Sequence, residues 1–119
     1  MLDLTRQHAR VRAAVAARVQ AVFDSQQFIL GQTVEEFETA FGQKFGGGHA
    51  VGMSSGTDAQ LAILMALGIG PGDAIITTPY TFFATAGCIH RVGAEPVFVD
   101  IRRDTMALDA DKLHEYLTV

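Results

Sequence analysis

Two rhythms of apolar residues divide this chain. Between Thr5 and Phe23, Val11, Val15, Val19 and Val22 recur at helical spacing, with Arg6, Arg10, Arg12 and Arg18 between them. That period predicts an amphipathic helix. A second helix is expected from Thr33, where Thr33 and Glu36 occupy the N-cap and third positions of a capping box. Val34, Phe37, Phe41 and Phe45 form its apolar face, and Gly46-Gly47-Gly48 stops it.

Beyond those glycines the apolar residues gather into short runs that alternate with helical stretches. Ala50 to Met53, Ala74 to Thr77 and Pro96 to Val99 are the expected strands, with helices near Asp58 to Leu67 and Phe82 to Val92. Gly68 and Gly93 stand where helix C-cap glycines belong, and Gly70-Pro71-Gly72-Asp73 is a turn into the next strand. This β-α-β-α-β order predicts an α/β fold with right-handed crossovers and mostly parallel strands, preceded by two helices. A last helix is expected from Asp109, with Leu113, Tyr116 and Leu117 facing inward. The 119 residues, read without repeats or low-complexity linkers, amount to one domain at most.

Composition narrows the partners. The net charge of −4, with no cluster of Lys and Arg, offers no electrostatic footprint for nucleic acid or an anionic membrane. No apolar run approaches the roughly 20 residues of a membrane span, and Asp3, Arg6 and Arg10 follow Met1 without a signal core, so a cytoplasmic protein is expected. Cys88 is the only cysteine, and its setting in Ala86-Gly87-Cys88-Ile89 suits a small buried residue.

Ligands of open α/β sheets collect beyond the carboxyl ends of the strands, where helix N-termini present unpaired N–H groups. Three loops lie there: Ser54 to Asp58, Thr78 to Phe83, and Asp100 to Arg103. The first joins a strand to a helix, so a phosphate there would meet the amides of Gly56, Thr57 and Asp58 and a hydroxyl of Ser55 or Thr57. Spacing alone leaves open whether Ser55 or Thr57 merely caps the helix. Asp58 fits either reading, because its carboxylate would repel a phosphate unless the side chain turned away. The second loop sets Tyr80, Phe82 and Phe83 beside Thr81 and Thr85, where an aromatic ring can cover a flat ligand or simply pack into the core. A phosphate cradle beside an aromatic lid suggests a phosphorylated aromatic cofactor.

Other chemistries find less support. Gly46-Gly47-Gly48 precedes a strand, whereas a dinucleotide fingerprint follows one, and no Walker-type Gly-Lys-Ser or Gly-Lys-Thr occurs. His8, His49, His90 and His114 lie on different expected elements without zinc-site spacing, so no metal is expected.

These motifs in this order resemble the DegT/DnrJ/EryC1/StrS aminotransferases: Phe28-Ile29-Leu30-Gly31, Val34 to Glu38, Ser54-Ser55-Gly56-Thr57-Asp58-Ala59, Pro71-Gly72-Asp73, Thr77 to Thr85, and Gly93 to Asp100. The resemblance runs from about Phe28 onward. It implies part of a fold-type-I, aspartate aminotransferase-like large domain, with residues 1–119 an N-terminal portion of a pyridoxal 5'-phosphate-dependent transferase. In such enzymes an amino group passes from an amino acid, commonly glutamate or glutamine, to a keto group of a nucleotide-linked sugar in polysaccharide or deoxysugar biosynthesis. Gly56, Thr57 and Asp58 would meet the cofactor phosphate, Ser55 less strongly, and Phe82 would stack on the pyridine ring.

The resemblance also places the Schiff-base lysine and the acidic partner of the pyridine nitrogen beyond Val119. Lys44 and Lys112 match neither position, so no catalytic residue is expected in this chain and the fragment alone should be inactive. Later strands would fill the sheet, leaving exposed edges here. A homodimer is implied at full length. Two alternatives remain: a sugar dehydratase of the same family, and a non-catalytic α/β module that binds a phosphorylated ligand or a protein partner.

Overall fold

The computed structural model describes residues 3–118, and the chain forms two compact units that divide between Gly52 and Met53. The first contains α1 (Thr5–Ser25) and α2 (Gln32–Lys44). The second runs α3 (Gly56–Ala66), β1 (Ala74–Thr77), α4 (Phe83–Arg91), β2 (Glu95–Phe98) and α5 (Ala110–Leu117).

In the first unit, α1 carries the expected valine stripe, yet Val11, Val15 and Val19 are all exposed. The α2 face is exposed as well. Phe37, Phe41 and Phe45 stack on one another, with ring centroids 5.7 Å and 4.5 Å apart along the series. The expected capping box does not form. Gly31, in extended backbone, is the N-cap, so the helix starts before Thr33 and no side chain caps it. Glu36 instead accepts from Arg18 Nη1 at 3.1 Å and from Gln32 Nε2 at 3.0 Å. At the other end the Gly47 N–H donates to the Gly42 carbonyl at 2.9 Å, which closes the helix at the glycine run.

The second unit is a β-α-β unit with a helix on either side of it in sequence. Strands β1 and β2 pair in parallel, with Ala74 opposite Glu95 and Thr77 opposite Phe98. The ladder is extended at its ends by Glu95 N–H to Asp73 O at 2.9 Å and Val99 N–H to Thr77 O at 2.8 Å. Helix α4 packs against both strands and against α3. Its buried residues Cys88 and Ile89 join Ala94 and Val99 as the small core, and Cys88 is only 1% exposed. The expectation of a buried structural cysteine is met.

Three further expectations are corrected. Ala50 to Met53 is not a strand: no ladder partner is hydrogen-bonded to it among the described residues, and Val51 is exposed. A strand exists only as one side of a pair, so apolar composition alone does not make one. Strand β2 begins and ends one residue before the expected span. In α5, capped by Asp109 Oδ1 accepting from the Asp111 and Lys112 amides, Leu113 is half-buried, but Tyr116 and Leu117 are exposed.

The turn before β2 requires glycine at Gly93. Its φ is +86°, and a Cβ there would stand 2.9 Å from Pro71 Cγ. Gly93→Ala should destabilise the fold by about 1–3 kcal/mol, the scale of a non-glycine residue held in a sparsely populated backbone region. A urea midpoint equal to wild type would refute that requirement.

Where β2 leads into α5, Asp100 accepts from the Ile101 N–H at 2.8 Å and from Lys112 Nζ at 3.1 Å. The Ile101 amide first, and Lys112 second, hold its carboxyl below the usual carboxylate range. A depressed folded pKa gives stabilisation that is in place at neutral pH and lost as pH falls below about 4. Asp100→Asn should therefore flatten the acid limb of stability against pH while changing its slope near neutrality little. Melting temperatures recorded across the acid range test this, and an unchanged acid limb counts against it.

Candidate functional site

Helix α3 starts where the chain turns through Ser54 and Ser55, and the start is organised by side chains. Ser55, with φ −159° and ψ 165°, is the N-cap, and its Oγ accepts from the Asp58 N–H at 3.1 Å. The Asp58 carboxylate folds back over the same loop. Its Oδ2 accepts from Ser55 Oγ at 2.9 Å and from Ser54 Oγ in a short hydrogen bond. The Ser54 hydroxyl first, then the Ser55 hydroxyl, hold the Asp58 carboxyl below the usual carboxylate range, and the positive charge of Arg91 contributes in the same direction.

That arrangement leaves particular groups free. The first amides of a helix have no intrahelical acceptor. The Asp58 amide is satisfied by Ser55, whereas those of Gly56 and Thr57 have no acceptor among the described residues. The Thr57 hydroxyl is likewise without a hydrogen-bond partner there. A Cβ built on Gly56 meets no atom within 4 Å, so the backbone faces open space. Two amides, one hydroxyl and the positive end of an eleven-residue helix dipole are therefore left without partners at the start of α3. The structure resolves the two readings of Ser55 in part: it is a helix cap, and the cap leaves its neighbours' donors free.

From behind, the loop is tied to the core. Cys88 Sγ donates to the Thr57 carbonyl at 3.3 Å, so the start of α3 rests on the buried face of α4. Phe82 is the N-cap residue of α4, six residues before Cys88. Phe82 and Phe83 are 79% and 82% exposed, unpacked by the described residues. The Phe83 ring lies against Gly87, and a Cβ there would approach it to 3.2 Å. Thr81 and Thr85 share a hydrogen bond of 2.9 Å beside them.

The third candidate loop does not join this constellation. Arg102 binds Asp104 through two hydrogen bonds of 3.1 and 3.2 Å and lies 3.9 Å from Asp111, while Asp100 is held by Lys112. Asp100 and Arg102 are thus already paired, and the loop closes on itself through the antiparallel bridge of Ile101 with Leu108. Among the described residues no group of three His, Cys, Asp or Glu side chains is placed to hold a metal, and no helix is long and apolar enough to cross a membrane.

Sequence reasoning singled out Ser55, Gly56, Thr57, Asp58 and Phe82, and the structure gathers the first four at one helix start with Phe82 on the helix packed beside it. It overlooked the support: Ser54, Cys88 and Arg91. Ser54 was recoverable from its spacing, since a hydroxyl four residues before an aspartate in a helix-start loop is within reach of it. Cys88 and Arg91 were not, because only the packing of α3 on α4 brings them there.

Known proteins share this sequence and this fold. The chain is 41% identical over 118 residues to a "Pleiotropic regulatory protein" of Geobacillus stearothermophilus, covering 99% of this chain and 32% of that protein. It is 39% identical over 117 residues to the UDP-2-acetamido-2-deoxy-3-oxo-D-glucuronate aminotransferase of Pseudomonas aeruginosa, covering 98% and 33% respectively. The chain thus spans about a third of the length of these relatives. Among solved structures, a DegT DnrJ EryC1 StrS aminotransferase from Brucella abortus superposes with a TM-score of 0.90 at 40% identity, over 95% of this chain and 30% of that one. The E. coli GDP-4-keto-6-deoxy-D-mannose-3-dehydratase with bound hydrated PLP matches with a TM-score of 0.76 at 34% identity, over 82% and 26%. The family model for the DegT/DnrJ/EryC1/StrS aminotransferases matches residues 10–119, and the chain belongs to that family.

Proposed function

We propose that this chain is the cofactor-phosphate-binding portion of a pyridoxal 5'-phosphate-dependent enzyme that moves an amino group from an amino acid to a keto carbon of a nucleotide-linked sugar. One observation carries the site: the free amides of Gly56 and Thr57 at the α3 N-terminus, tied through Cys88 to the helix whose start exposes Phe82. Family membership and the aminotransferase named among the relatives support the reaction. The amino acid loses its amino group and becomes a keto acid, while the sugar's keto carbon gains that group.

When bound, the cofactor supplies an electron sink and carries the amino group between the two substrates. The residues of this chain bind and orient it. The Gly56 and Thr57 amides and the Thr57 hydroxyl donate to the phosphate, and the dipole of α3 favours its negative charge. Ser55 and Asp58 complete the turn. The exposed Phe82 side chain covers the ring. The lysine that takes part in proton transfer, the acidic partner of the ring nitrogen, the amino donor and the sugar are assigned to the remainder of a longer protein, with a second copy as partner.

The test is to load the full-length protein carrying this segment with pyridoxal phosphate and to offer single amino acids. Glutamate or glutamine should convert the cofactor spectrum to that of its aminated form, and a keto sugar should restore it. Loss of water from the sugar without transfer of nitrogen would assign the dehydratase chemistry of the E. coli neighbour instead. No spectral change with any amino acid would sink aminotransfer.

Three substitutions probe the residue assignments. Gly56→Ala adds a methyl in open space at a helix start, so folding stability should hold or rise by about 0.4–1 kcal/mol while pyridoxal phosphate affinity falls, because the methyl obstructs the anion. Unchanged affinity would refute the close approach. Thr57→Val should weaken binding by about 1.5–3 kcal/mol, the scale of a hydrogen bond to a charged group, with Phe82→Leu altering the bound cofactor's spectrum rather than its phosphate anchoring. Equal affinity of the Thr57 variant for pyridoxal phosphate and wild-type values would remove Thr57 from the site.

A further inference from the structure

Asp58 is the odd member of the cradle. A carboxylate one residue from the Thr57 amide adds negative charge where a phosphate is to be bound, and repulsion alone would make it a liability. Its hydrogen bonds point to another role. Oδ2 takes the protons of both Ser54 and Ser55. A serine hydroxyl has one proton to donate, so a serine that gives it to Asp58 has none left for an anion. Ser55 Oγ in turn accepts from the Asp58 amide, which removes that amide from the set of free donors.

We infer that Asp58 is a positioning residue of the phosphate cradle: by holding Ser54 and Ser55 it fixes the loop so that the Gly56 and Thr57 amides and the Thr57 hydroxyl alone receive the anion. The inference rests on the phosphate-binding reading given above and divides its residues into two groups. Thr57 and Gly56 bind, and Ser54, Ser55 and Asp58 hold them in place. Electrostatics permits the arrangement. The charge of Asp58 is met by two hydroxyl dipoles on its own loop, and the more distant positive charge of Arg91, at the end of α4, acts in the same direction. Behind the loop Cys88 pins the Thr57 carbonyl, so the cradle is fixed on both sides of the residue that binds.

The sign of one measurement separates positioning from repulsion. The cofactor-free full-length protein is titrated by absorbance with pyridoxal phosphate and, separately, with pyridoxal, which lacks the phosphate. If Asp58 positions the loop, Asp58→Ala, which leaves the serine hydroxyls no side-chain acceptor, weakens pyridoxal phosphate binding by roughly 10-fold or more and leaves pyridoxal binding as in wild type. Ser54→Ala, which cuts the same bond from its other end, weakens it in the same direction. The double variant loses no more than Asp58→Ala alone, because the two residues act through one interaction. The 31P resonance of bound pyridoxal phosphate moves in Asp58→Ala and stays at its wild-type position in Gly93→Ala, which weakens the fold away from the loop. Tighter binding by Asp58→Ala would overturn the inference, since it would show Asp58 acting only as a repelling charge. So would fully additive losses, or equal losses for pyridoxal. A wild-type protein that does not prefer pyridoxal phosphate to pyridoxal would refute the phosphate site itself, and this is seen before any substitution is made.

Discussion

The packing of α4 is the constraint from which the second unit follows. Its buried residues Cys88 and Ile89 close against Ala94 and Val99, and these four make up the buried apolar core among the described residues. A helix that must cover two parallel strands with one face and meet α3 with another has little freedom in how it lies. Small side chains at Ala84, Ala86 and Gly87 suit such close approach, and Cys88 fills the seam without a larger side chain's demand for space. The same residue reaches the Thr57 carbonyl, so the geometry of the turn at the start of α3 is inherited from the core. In this sense the phosphate end and the ring end of the candidate site are two readouts of one helix: Cys88 fixes the first and Phe82, at its start, presents the second.

The first unit obeys the opposite rule. Its helices have the amphipathic period of elements that bury one face, yet the valines of α1 and the phenylalanines of α2 remain exposed, and Ile29, in the connection between the helices, is 86% exposed. Within the unit the aromatic rings of α2 find each other, and Phe23 and Phe28 meet edge to face at 5.8 Å. Such pairs add to stability, but they do not replace burial, which is the dominant apolar term. The helices nevertheless form at the expected places, because periodicity and local propensity set where a helix can run, whereas the covering of its face depends on what is packed there.

That difference explains what was legible in the sequence. Helix positions were, to within a few residues, since each is a local property of its own segment. Strand β1 was, and β2 to within one residue, because turns with strong signals bracket them: Gly70 to Asp73 before the first and Gly93 before the second. The expected strand at Ala50 to Met53 was not, since a strand is defined by its ladder and no partner is present for it among the described residues. The capping box at Thr33 failed for a related reason. Glu36 had a choice of partners, and Arg18, distant in sequence, took it. The candidate site was legible where it depends on one loop, Ser55 to Asp58, and Phe82, expected at a helix start, is exposed there. The division of work within the loop was not legible, because it depends on where one carboxylate turns.

The electrostatic problem set by the proposed site is how a chain of net charge −4 would attract a phosphate to a loop in which the described residues place no lysine or arginine. Its solution is to use charges that carry no side chain. The amides at the start of α3 are fixed by the helix itself and need no reorganisation to face an anion, whereas a lysine would lose rotamer freedom on binding. Neutral donors have a cost of their own: a loop that moves by a fraction of its width no longer points its N–H groups inward. An anion site built from backbone therefore depends on whatever keeps the backbone still. Here the loop is held at both ends of the turn, by the serine hydroxyls locked onto Asp58 on one side and by the buried Cys88 on the other. In the proposed site a negative side chain is then no contradiction, because its charge is spent on the serines and its effect on a bound phosphate would be transmitted as geometry.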